Sequence, residues 1–113
     1  MSTDFDAELV RGSLVPIVLA LLSEHEQYGY ELARVVDARS GGRLALREGT
    51  LYPILHRLEA EGLISSRWAS SPEGRQRKYY VATRRGRSEA EKLVGQLRSF
   101  YGAVEGVLKG GAA

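Results

Sequence analysis

Cysteine is absent from the 113-residue chain, which excludes disulfides, thiolate zinc sites and a cysteine nucleophile. Histidine is scarce. His25 and His56 are the only imidazoles, far apart in sequence and without the spacing of a metal pair. The longest apolar run, Leu14 to Leu22, is interrupted by Pro16 and falls well short of the roughly 20 residues that span a bilayer. The opening MSTDFDAE is acidic and cannot serve as the basic head of a signal peptide. These absences point to a cytoplasmic protein with no membrane segment. Nucleophile elbows, phosphate loops and metal-ligand motifs are also missing, so no catalytic residue, metal or cofactor is expected.

Acid is missing from one block in particular. Arg75, Arg77, Lys78, Arg84, Arg85 and Arg87 have no carboxylate among them, whereas Asp4, Asp6, Glu8, Glu24, Glu26 and Glu31 load the first third. The net charge is only +2, so attraction of a polyanion rests on this local asymmetry and not on the total. A hydrophobic content of 43% with 27% charged residues suits a folded chain. The length suits one domain with a modest core, to which a second subunit would add.

The stretch around which the chain is organised is REGTLYPILHRLEAEG, Arg47 to Gly62. At 100° per residue, Leu51, Leu55 and Leu58 share a stripe with Ile54 at its edge, while Pro53, His56, Arg57 and Ala60 point away. With Thr50 as N-cap, Pro53 falls in the first turn, and Gly62 closes the helix. The outward set of Thr50, Tyr52, Pro53, His56 and Arg57 can hydrogen-bond, stack or neutralise phosphate, as a DNA recognition helix requires. An ordinary solvated helix has the same pattern, with Arg57 paired to Glu61 one turn on.

The rest of the chain narrows that choice. Phe5 and Leu9 are spaced for a short helical arm over Asp4 to Arg11. Leu14 to Leu22 is apolar nearly all round and reads as a buried helix capped by Ser13, or as a longer one kinked at Pro16. Glu24 to Gln27 reads as a polar turn, and Tyr30 to Ser40 as a second helix with Leu32, Val35 and Val36 inward, ended by Gly41-Gly42. The Thr50 helix follows a short link, which makes a helix-turn-helix.

Leu63 to Ala69 and Lys78 to Thr83 are rich in β-branched and aromatic residues around SSPEGRQR, a hairpin signal. Trp68 reads as a packing residue between hairpin and helices, and one of Tyr79 and Tyr80 as core. Arg75, Arg77 and Lys78 make this hairpin a basic wing. A last helix spans Thr83 to Lys109, with Ala90, Leu93, Leu97, Phe100, Val104 and Val107 at alternating threes and fours.

Six segments then resemble the PadR-type transcriptional regulators: GSLVPIVLALL (Gly12–Leu22), YGYEL (Tyr28–Leu32), EGTLYPILHRL (Glu48–Leu58), EGLI (Glu61–Ile64), GRQRKYY (Gly74–Tyr80) and TRRG (Thr83–Gly86). The single C-terminal helix is similar to that of the small subfamily. The resemblance implies a mainly α fold with a β-hairpin, a winged helix-turn-helix plus a long C-terminal dimerisation helix. An arm and DNA-binding domain would occupy residues 1–83, the dimerisation helix 84–109 and a disordered tail 110–113. It also implies a homodimer acting on double-stranded DNA as a repressor or activator, with repressor as the expectation, and releasable by a small-molecule effector; two-fold symmetry then calls for an inverted-repeat operator. DNA contacts would come from Thr50, Tyr52, Pro53, His56 and Arg57 with Arg75, Arg77 and Lys78. The dimer interface would use Leu14, Ile17, Val18, Leu93, Leu97, Phe100, Tyr101, Val104 and Leu108, with Leu97, Phe100 and Tyr101 bordering an effector cavity. The rival expectation is a winged-helix module for protein or ligand binding without DNA, for which a basic wing has no use.

Overall fold

Helix α1 (Ala7–Glu24) opens the computed structural model, which describes residues 5–110; Asp4 of the predicted arm and residues 111–113 of the predicted tail lie outside them. The order continues β1 (Gln27–Tyr28), α2 (Gly29–Arg39), α3 (Glu48–Ala60), β2 (Ile64–Ser70), β3 (Gln76–Ala82) and α4 (Arg84–Leu108). This is a winged helix with a long C-terminal helix.

Arm and first helix are one element. The N-cap of α1 is Asp6, whose side chain accepts a hydrogen bond from Glu8 N at 2.9 Å. Ser13, expected as the cap, is instead buried inside the helix. Pro16 is tolerated there because the carbonyl it strands belongs to Gly12, an exposed residue that water can serve. The longer of the two predicted helices is therefore the correct one.

Leu19, Leu22, Leu32, Leu51, Leu55, Leu58 and Ile64 are fully buried and form the centre of the core. Each contributes roughly 1.5–3 kcal/mol relative to an exposed position. Val18 is among them at 0% exposure. It was expected at a dimer interface, but it faces its own chain's interior, which leaves Leu14 and Ile17 as the partly buried residues of that group on α1.

The cap of α3 also differs from expectation. The N-cap of α3 is Arg47, in extended backbone (φ −85°, ψ 153°), and Leu51 N donates to its carbonyl at 2.8 Å. Thr50 thus sits within the first turn and Pro53 inside the helix. The cause is Leu46, whose burial anchors the incoming link so that helix can begin directly after it, with Glu48 suitably placed at the positive helix end. Helix α2 begins at Gly29, and Tyr28 N donates to Glu31 Oε1 at 3.1 Å as part of its cap.

The three strands are antiparallel in the order β1-β3-β2. The hairpin register pairs Ile64 with Ala82, Ser66 with Tyr80, Trp68 with Lys78 and Ser70 with Gln76. Strand β1, whose Gln27 was expected in a polar turn, pairs Gln27 with Tyr80 and Tyr28 with Tyr79. Gln27 is buried, and its Nε2 donates to the Leu21 carbonyl at 2.8 Å and the His25 carbonyl at 3.3 Å, tying this strand to the end of α1.

Helix α4 is capped by Thr83, whose hydroxyl accepts from Gly86 N at 3.0 Å and donates to the Gly62 carbonyl at 2.9 Å. Ala90 is buried and Leu93 packs on the core. Farther on the helix leaves the body of the protein: Phe100 is 61% exposed, Val107 77% and Leu108 75%.

Candidate nucleic-acid interface

Burial of Leu51, Leu55 and Leu58 turns Pro53, His56 and Arg57 to solvent on α3, with Tyr52 at the border of the stripe. Thr50 is exposed at the helix start. The Tyr52 hydroxyl lies against Gly29, where an added Cβ would stand 2.6 Å from it, so the absence of a side chain at the start of α2 lets this ring lie where it does. Arg57 Nε donates to Glu61 Oε2 at 3.3 Å, both side chains being well exposed. An exposed i,i+4 pair of this kind holds by about 0.5 kcal/mol, so Arg57 is readily released to an anionic partner.

The hairpin stands beside α3 and has two unlike faces. Ile64, Ser66, Trp68 and Ser70 face the α3 side, opposite Ala82, Tyr80, Lys78 and Gln76. Ser66 donates to Glu59 Oε2 at 2.5 Å and Lys78 Nζ lies 3.9 Å from Glu59 Oε1, which anchors the hairpin to α3. Tyr80 is the core tyrosine of the pair, and its burial pushes its hydroxyl pKa up. Between α3 and the hairpin lies a cleft of about 350 Å³ whose lining includes Tyr52, His56, Trp68, Gln76 and Lys78. Trp68, expected to pack between hairpin and helices, is 65% exposed there.

The other face of the hairpin is a clasp. Arg67 makes two 2.6 Å hydrogen bonds to Glu26 and lies 5.6 Å from the Tyr79 ring. Tyr79 meets Tyr28 edge to face at 5.5 Å, and the Arg77 guanidinium covers Tyr28 at 4.3 Å. The hydrogen bonds from Arg67 hold the Glu26 carboxyl below its ordinary pKa. Arg77 also donates to Glu73 at 3.2 Å. Arg75 is exposed at the tip, where Gly74 adopts φ +84° and Ser71 N donates to the Arg75 carbonyl at 2.7 Å. The structure thus brings Tyr52, His56, Lys78 and, at the Tyr28 end, Arg77 to one cleft, and sets Arg75 outside its lining.

A second surface lies at the outer half of α4. The Ser13 and Tyr101 hydroxyls share a 2.5 Å hydrogen bond between α1 and α4. Above it a largely apolar cavity of about 500 Å³ is lined by residues including Phe5, Ile17, Leu44, Phe100, Tyr101 and Val104. Phe100 and Tyr101 line this cavity; Leu97 is not among its lining residues.

Sequence reasoning missed Gln27 and the role of Gly29. The only signal for Gly29 was its place in the YGYEL segment. Among the described residues, no group of three or more His, Asp or Glu side chains is placed to hold a metal ion, and no helix is long and apolar enough to cross a membrane.

The family model described as "Transcriptional regulator PadR-like family" matches residues 18–92. A transcriptional regulator of Mycobacterium tuberculosis is 38% identical over 81 residues, which cover 72% of either chain. Among solved structures, a PadR family transcriptional regulator from Eggerthella lenta superposes with TM-score 0.75 at 36% identity, covering 89% of this chain and 86% of that one. A transcriptional regulator from Clostridium thermocellum gives 0.79 at 26% identity, over 88% and 96%. With the exposed face of α3 and the basic hairpin beside it, these findings place the chain in the PadR-like family of transcriptional regulators, DNA-binding proteins without enzymatic activity.

Proposed function

We propose that this protein is a homodimeric repressor that binds an inverted-repeat operator, with α3 in the major groove and the hairpin as wing. The observation that carries the reading is the outward face of α3, exposed at Pro53, His56 and Arg57, with Lys78 across the cleft from His56. Thr50, Tyr52, Pro53, His56 and Arg57 supply the groove and phosphate contacts, and Arg75, Arg77 and Lys78 the wing contacts. Two recognition helices related by a two-fold axis demand half-sites about 34 Å apart or a multiple of that.

Dimerisation uses the outer stripe of α4 together with α1: Leu14, Ile17, Leu93, Leu97, Phe100, Tyr101, Val104 and Leu108. A stripe with Leu108 75% exposed and Phe100 61% exposed is an apolar surface that a single chain leaves in water. The cavity above the Ser13–Tyr101 hydrogen bond supports effector control, since a ligand there bears on both helices of the interface. Its effect on DNA affinity and the effect of DNA on ligand affinity must be equal.

The test is fluorescence anisotropy on DNA upstream of the protein's own gene, with unrelated duplex as competitor. Saturation at two chains per site is expected, with affinity falling steeply as salt rises. Arg57→Ala should weaken binding by about 10-fold or more. An Arg57→Ala protein that bound as tightly as wild type would remove α3 from the interface.

A further inference from the structure

Trp68 is the sole tryptophan, and 65% of it is exposed. Tryptophan is usually among the most buried side chains, so its position is informative where a scattered exposed leucine is not. The hairpin register explains the exposure. On the α3 side, the Ile64–Ala82 rung lies in the core and the Ser66–Tyr80 rung is fastened to Glu59. In the next rung Lys78 still reaches Glu59, at 3.9 Å, while Trp68 opposite it makes no such attachment and stands in the cleft beside Tyr52 and His56.

The lining of that cleft holds Lys78, Arg77 and His56, with the carboxylates that reach its cations, Glu59 at 3.9 Å from Lys78 and Glu73 at 3.2 Å from Arg77, outside it. Cationic groups and hydroxyls suit a phosphodiester chain, and an indole between them suits the apolar face of a deoxyribose. We infer that Trp68 is a DNA-contact residue: one strand's backbone enters the cleft between α3 and the wing, with Lys78 on a phosphate and the Trp68 ring against the adjoining sugar. The inference rests on the DNA-binding reading and adds to it a contact of a different kind. A sugar contact is apolar and reads no base, so it raises affinity for any duplex without adding to counterion release.

Two readouts on one titration test this. The full-length protein is added to a fluorescein-labelled duplex of mixed sequence at low salt, and anisotropy reports binding. In parallel, acrylamide quenching of the single tryptophan is compared with and without unlabelled duplex. The quenching constant should fall by about half or more in the complex. Trp68→Ala should weaken binding roughly 10-fold, the equivalent of about 60 Å² of apolar surface, and leave the slope of log affinity against log salt unchanged. Lys78→Ala should lower that slope by about one.

Trp68→Phe should retain most of the affinity, and circular dichroism should show the wild-type fold in all three variants. Rising anisotropy with unchanged quenching, and Trp68→Ala binding within about twofold of wild type, overturns the inference while leaving the DNA-binding reading in place. Anisotropy that stays flat on every duplex overturns both.

Discussion

Gly86→Ala should destabilise the protein severely, although the substitution lies in the first turn of a helix, where alanine is ordinarily the better residue by about 1 kcal/mol. A Cβ at this position would stand 1.8 Å from the Leu63 carbonyl oxygen, where ordinary contact begins at 3.4 Å. Helix and strand backbones must therefore part by roughly 1.5 Å. That movement breaks the Thr83 N–H to Leu63 carbonyl bond of 3.0 Å and the Thr83 hydroxyl to Gly62 carbonyl bond of 2.9 Å. Two hydrogen bonds at about 1 kcal/mol each and overpacking of about 1–3 kcal/mol, less the helix gain, leave a net loss of about 2–4 kcal/mol. In a domain of this size the melting temperature falls by about 10–20 °C. Urea denaturation followed by circular dichroism measures it, with Gly95→Ala as the control. Gly95 is in the same helix with nothing within 4 Å of its would-be Cβ, and alanine there should stabilise by about 1 kcal/mol. A Gly86→Ala protein as stable as wild type would refute the close approach from which the argument is built.

Three further outcomes are expected. Gly29→Ala pushes a methyl against the Tyr52 hydroxyl and shifts the ring, so DNA affinity should drop by about 10-fold while the melting temperature changes by only a few degrees; anisotropy and calorimetry on the same sample separate the two. Phe100→Asp places a charge in the exposed α4 stripe, so sedimentation should show a monomer of wild-type helicity; a dimer would exclude this stripe as the interface. Hydrogen bonds from Arg39 and Arg67 hold the Glu24 and Glu26 carboxyls below the reference 4.5. Their stabilising share is present above that value and disappears as pH falls through the lowered folded pKa. Glu26→Gln should therefore narrow the stability gap between neutral and acid pH, read from melts at both; an unchanged gap would deny the Arg67–Glu26 pair any weight.

Much of this architecture was legible because long elements carry their own period. The leucine stripe of α3, the inward valines of α2 and the threes and fours of α4 each located a helix within one or two residues at most ends. Burial followed type for Tyr80 but not for Trp68, because a hairpin longer than the surface it covers carries its last rungs into solvent. The Ser13–Pro16 and Thr50–Pro53 spacings misled on caps: Asp6 starts α1 a full turn and more before Ser13, and buried Leu46 starts α3 ahead of Thr50. Strand β1 could not be read at all, since two residues have no period and the strand exists only by pairing with β3. The TRRG and YGYEL segments resembled a family before they had a physical reason. Gly86 beneath Leu63 and Gly29 beneath Tyr52 supply it.

Gln27 fastens β1 to the end of α1, the start of α2 grows directly out of Tyr28, and both residues are stitched to β3. First helix, second helix and wing root consequently move as one block. Glu59 of α3 is in turn bound to Ser66 and paired with Lys78, so the gap between α3 and wing is held within each chain, like the jaw of a fixed spanner. In the proposed dimer the adjustable quantity is the angle at which two such blocks meet along their outer α4 stripes. Under the proposed effector control, a molecule lodged above Ser13 and Tyr101 would act there as a wedge, and operators with altered half-site spacing would serve as the gauge that reads the angle.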